Sequence, residues 1–209
     1  GHPMTAYAVS DLSAFLAKSG DYAAAVPMAR EYLRMLEAAY GTEHPVIATA
    51  LSQVAATLAL AGQAAEAESL YRKSLTLQKR FHASEGNVAG IEINLARLLI
   101  DQRRLGEAEP LLRDAAAIRE REGGAQDPNT AFTRAMLGML LTRTGHYAAA
   151  DTLLRDAIES IERQIVPEHP TVRQMRAWLS ELDSVKARAR ATSRLAPYSV
   201  APRHPAPAR

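Results

Sequence analysis

The chain has 209 residues, 47 % of them hydrophobic but only 5 % aromatic, and it contains no cysteine, which excludes disulfides and thiolate metal sites. No apolar run approaches the roughly 18 residues a membrane-spanning helix needs. The net charge of +2 is unevenly placed: residues 186–209 hold Lys186, Arg188, Arg190, Arg194, Arg203 and Arg209 and no acid, so residues 1–185 carry −4 and the alkaline pI belongs to the end of the chain.

Residues 1–4, Gly-His-Pro-Met, are expected to be a tag remnant. From there a small-residue anchor recurs at Ala25, Ala67, Ala108 and Ala150, in steps of 42, 41 and 42. A short turn closes each unit: TEHPV at Thr42–Val46, SEGNV at Ser84–Val88, AQDPN at Ala125–Asn129 and PEHPT at Pro167–Thr171. A fixed period of this size signals stacked supersecondary units. The units are set at about 5–46, 47–88, 89–129 and 130–171 in one solenoid over 5–190.

Each unit divides into two helices, A and B. Helix A carries a stripe at three- and four-residue steps: Leu12 and Leu16, then Ile47, Leu51, Val54 and Leu58, then Leu95 and Leu99, then Leu137 and Leu141. Helix B carries Met28, Ala29, Tyr32 and Leu33 in unit one and equivalent apolar residues in the others. Glycine separates A from B at Gly20, Gly62 and Gly145; unit three has Arg103 there, and its turn is expected to use Gly106. Pro27 and Pro110 are placed near the first turn of helix B, where a missing N–H matters little.

A ninth helix is predicted over 171–190 as a cap, with Val172, Met175, Leu179 and Leu182 inward and Trp178 beside them. Residues 191–209, rich in Pro, Ala and Arg, are expected to be flexible or polyproline-like.

Chemical motifs are scarce. His44 and His169 both sit in a Glu-His-Pro turn, three units apart, which points to turn chemistry and not to a shared metal. Phosphate loops, zinc-protease spacing and nucleophile elbows are missing, so no catalytic residue, metal or cofactor is assigned and the protein is not expected to be an enzyme.

The segments INLARLLIDQRRLGEAEPLLRDAAAI at 93–118, VAATLALAGQAAEAESLYRKSL at 54–75 and GTEHPV at 41–46 resemble the tetratricopeptide repeat (TPR), in the 42-residue form of kinesin light chains and many bacterial regulatory proteins. The usual aromatic of helix A is leucine here, and the turn between units two and three has Gly86–Asn87 in place of His-Pro, which predicts a local irregularity. The resemblance implies an all-α, right-handed α-solenoid of four TPR helix pairs plus a C-terminal capping helix. It also implies that helix A lines a concave groove.

By that resemblance the groove positions are Asp11, Gln53, Asn94 and Met136; Ala14, Ala56, Arg97 and Met139; Tyr7, Thr49, Gly90 and Phe132; Lys18, Leu60, Asp101 and Arg143. Asn94, and Gln53 one unit earlier, offer an amide donor and acceptor to the backbone of an extended peptide. Arg97 suits a carboxylate, unless it pairs with Asp101 at i+4. Phe132, Met136 and Met139 make an adaptable apolar patch. The implied role is non-catalytic protein–protein interaction, as a cytoplasmic adaptor, scaffold or regulatory module of a larger bacterial signalling protein. Peptide or ligand sensing is the alternative, and nucleic-acid contact through the basic tail ranks behind both. Residues 194–203, RLAPYSVAPR, are a candidate for self-association in a groove; no membrane partner is expected.

Overall fold

A computed structural model describes residues 3–82 and 84–195, which form nine α-helices with no strand among the described residues. They are α1 (Pro3–Ser19), α2 (Tyr22–Tyr40), α3 (Pro45–Leu60), α4 (Ala64–Arg80), α5 (Glu85–Asp101), α6 (Leu105–Gly123), α7 (Pro128–Arg143), α8 (Tyr147–Glu162) and α9 (Pro170–Leu195). Consecutive helices pack as pairs, α1 with α2 through α7 with α8, and each pair packs on the next. Two layers result: α1, α3, α5, α7 and α9 in one, and α2, α4, α6 and α8 in the other. Helices of the first layer also touch each other, α1 with α3, α3 with α5 and α7 with α9, while those of the second do so far less. A stack whose one layer is more crowded curves towards that layer, so the odd-numbered helices line the concave face.

The repeating alanines explain the pairing. Ala25, Ala67, Ala108 and Ala150 are all completely buried. At the matching register positions of helix A stand the small, buried Ser13, Ala55 and Ala96 and, in unit four, Gly138, which leaves room for the two backbones to approach. The approach is tightest in unit four, where a Cβ on Gly138 would lie 2.8 Å from Leu154 Cγ. In unit one the Ser13 hydroxyl donates to the Ala25 carbonyl at 2.9 Å.

The turns are chemically different but do the same work. Each supplies a side-chain acceptor to free N–H groups at a helix start: His44 Nδ1 for Val46, Ser84 Oγ for Asn87, Asp127 for Asn129 and Thr130, His169 Nδ1 for Thr171. Both Glu-His-Pro histidines are thus capping residues.

Four expectations need correction. Arg103, not Gly106, makes the third A-to-B turn; it takes φ +63°, alongside Gly20, Gly62 and Gly145 at φ +88°, +76° and +86°. Its neighbour Arg104 bridges Glu68 and Glu107 with bonds of 2.6–3.1 Å, and its guanidinium holds both carboxyls below the usual range. Pro27 and Pro110 lie inside α2 and α6, past the first turn, because these helices start earlier than the prolines suggested. Leu12 is not a core residue: it is 45 % exposed, and Phe15 is 67 % exposed, because no described unit stacks ahead of α1, whereas their counterparts Val54 and Thr57 are covered. α9 runs through Leu195, so the first part of the expected flexible tail is helical. Residues 196–209, with most of the candidate segment 194–203, lie outside the described residues.

The predicted irregularity between units two and three is present. α4 ends at Arg80, two residues sooner after its anchor alanine than α2 and α6 do, and His82 adopts the left-handed conformation (φ +48°) that Gly41 and Gly124 adopt elsewhere. The single 41-residue step coincides with this early end of α4; the turn that follows has four residues, as after α2 and α6.

Candidate functional site

The concave layer holds three hollows in a row. The first, of about 210 Å³, lies between α1 and α3 and includes Asp11, Ala14 and Lys18 opposite Gln53, Ala56 and Leu60. The second, of about 190 Å³, shares Ala56 and Leu60 with the first and adds Tyr71, Asn94, Arg97 and Asp101. The third, of about 390 Å³, shares Arg97 and Asp101 and adds Phe132, Met136, Met139 and Arg143, with Gln174 and Trp178 from α9. The shared residues make them one continuous groove along the odd-numbered helices.

Thirteen of the sixteen expected positions line it. The exceptions are Tyr7, Thr49 and Gly90. Tyr7 is 41 % exposed with its ring 6.2 Å from that of Tyr32. The Thr49 hydroxyl accepts from Gln78 at 3.5 Å, and Gly90 sits beneath the Arg119 guanidinium.

Chemically the groove is graded. At its first end the Tyr32 hydroxyl donates to Gln53 Oε1 at 2.6 Å, so half of the Gln53 amide is engaged and only its N–H₂ remains. Burial, with the nearby Tyr7, pushes the Tyr32 phenol up to about 12, and burial does the same for Tyr71 against a smaller opposing pull from Arg97. In the middle, the Asn94 side chain and the Arg97 guanidinium have no hydrogen-bond or ion-pair partner among the described residues, and Arg97 does not reach Asp101. The far end is aromatic and sulfur-rich: Phe132 and Trp178 rings lie 5.7 Å apart, and Met136 and Met139, though almost fully buried, form the wall behind them. Arg143 approaches Glu181 at 3.8 Å.

Gln174, Trp178 and Glu181 were not among the expected positions. The register itself would have found them, since one further 42-residue step from Phe132, Met136 and Met139 lands on them. Tyr71, from helix B, carries no such signal.

The tetratricopeptide repeat family profile matches residues 4–80 and 87–163. No curated protein matches the chain. Among solved structures, the chain is similar to TPR-like repeats from Podosopora anserina assigned as a kinesin light chain, with TM-score 0.77 and 19 % identity over 93 % of both chains; a form of those repeats carrying a single substitution superposes equally well over 92 % of its length. It is also similar to BtubC (BKLC) from P. vanneervenii, with TM-score 0.69 and 20 % identity over 96 % of this chain and 84 % of that one. At these identities the neighbours speak to the fold alone, but the family match spans well over half of the sequence, and with the four-unit register and paired helices it shows that the chain belongs to the tetratricopeptide repeat family.

Proposed function

We propose that this protein is a non-catalytic interaction module that holds an extended segment of a partner protein in its concave groove. The observation that carries this reading is the middle of the groove, where Asn94 and Arg97 present amide and guanidinium groups that the fold itself does not use. An amide can satisfy both the N–H and the C=O of a passing backbone, giving sequence-tolerant grip. Arg97 adds a fixed fork for a carboxylate, and the Phe132–Trp178 end accepts an apolar side chain. Asp11, Lys18, Gln53 and Arg143 line the flanking stretches, and Tyr7 packs on Tyr32 of the first hollow. Mixed charge along the groove favours a segment of mixed character over a purely acidic or basic one.

Among the described residues no helix is long and apolar enough to cross a membrane, which accords with a cytoplasmic adaptor or signalling role. A pull-down from native lysate, comparing wild type with an Asn94→Ala/Arg97→Ala double variant by mass spectrometry, tests the reading. A partner lost only from the variant supports it; the same partners retained by both would move binding away from the concave face.

A further inference from the structure

A second candidate site lies away from the concave groove, at the junction between units two and three where α4 ends early. A cavity of about 360 Å³ opens there between α4, α5 and α6, sharing no residue with the three concave hollows. At its wall stands Glu92, whose side chain is only 2 % exposed.

Glu92 occupies a position of the repeat that is buried in units two and three and only partly covered in units one and four. Its register equivalents are Val9, Leu51 and Arg134, and Leu51 is fully buried. A carboxylate at such a position is costly unless its oxygens are paired. Here Lys79 reaches only Oε1, at 3.3 Å, longer than the about 2.7–2.9 Å of a well-made charged bond. Oε2 is buried with no partner. The equivalent junctions later in the stack are better served: Arg134 meets Glu120 and Arg176 meets Glu162, each at 2.8 Å, and those pairs are more exposed. Among the described residues, only at the junction between units two and three does a buried acid face a cavity with one oxygen unmet.

The rest of the lining suits one class of ligand. Asp114 on α6 faces the same cavity and has no ion pair among the described residues. Val88, Ala117 and Ile118 supply an apolar wall beside the carboxylates. Arg121 at the rim is already paired with Glu85 at 2.8 Å. The cavity therefore lacks one positive charge next to an aliphatic surface.

We propose that this cavity binds a primary alkylammonium group, with its methylenes against Val88, Ala117 and Ile118 and its nitrogen donating to Glu92 Oε2 and to Asp114. The same group can come from a free aliphatic amine or from a lysine side chain of a bound protein segment. Binding needs a small rotation of the Glu92 carboxylate towards the cavity, which the single long bond to Lys79 permits.

Titration calorimetry on the full chain, with n-butylammonium chloride as the free-amine probe and Nα-acetyl-lysine methylamide as the peptide probe, tests the proposal. Saturable binding of at least one probe, weakened tenfold or more by Glu92→Gln and also by Asp114→Asn, is the expected result, and the tighter probe identifies the source. Asp114 is exposed, so its variant keeps the test open if the Glu92 variant folds poorly. Absence of saturable binding by both probes, or equal binding by wild type and the Asp114→Asn variant, would overturn it.

Discussion

The Tyr32 hydroxyl of α2 donates to Gln53 Oε1 of α3 at 2.6 Å, linking the outer layer of unit one to a groove residue of unit two. The bond orients the Gln53 amide so that its two N–H donors are what remain for a ligand. Tyr32→Phe should therefore lower stability by about 1 kcal/mol through the lost bond to a part-buried acceptor, measured by urea unfolding.

The same buried phenol makes an alkaline prediction. Its folded pKa is raised from 10.0 to about 12, and that of Tyr71 likewise. A group raised in the folded state contributes stability in full below its unfolded pKa and loses it as pH climbs towards the folded value. Unfolding free energy should fall between pH 10 and about 12, and the fall should be shallower in a Tyr32→Phe/Tyr71→Phe variant, as followed by urea titration at each pH.

Glu92 gives the opposite end of the pH scale. Burial raises its carboxyl above the usual range, against the pull of the Lys79 ammonium and with a further push from Asp114; Glu85, His82 and Arg121 also line the space in front of it. The folded state thus favours the protonated form, so the charged form weakens the fold as pH rises past the unfolded value of 4.5. Glu92→Leu, which restores the residue found at position 51, should add about 1 kcal/mol at pH 7 and little below pH 4.5. Thermal melts at the two pH values check this.

The A-to-B turns separate conformational from chemical needs. Arg103→Gly should raise stability by about 0.5 kcal/mol, since φ +63° is strained for a side chain, although glycine also loosens the unfolded chain. Gly62→Ala, at φ +76° with open space around it, should cost about 1 kcal/mol for the same backbone reason and not through a clash. Chemical denaturation of the pair distinguishes this from a packing account.

Much of the fold was legible because its main determinant is steric and periodic. Alanine at positions 25, 67, 108 and 150 is the smallest side chain that permits close helix crossing, and its repetition is visible without coordinates. The helix-A stripe was legible for the same reason, except at Leu12, whose exposure depends on what stacks ahead of it. The groove was legible by resemblance up to Arg143, and Trp178 belongs to the same register one step on. Arg103 was not legible, because nothing in its side chain announces a left-handed backbone. Nor was the burial of Glu92, since an acid in a helix normally marks a solvated face.

Site-directed photocrosslinking in native lysate shows whether the concave layer is the face that holds a partner. A benzophenone amino acid is placed either at Leu60, which lies where the first two hollows meet, or at Lys73, exposed on α4 in the outer layer. A discrete partner adduct is expected from the Leu60 probe and none from the Lys73 probe. An adduct from Lys73 alone would contradict it and place the interaction on the convex face.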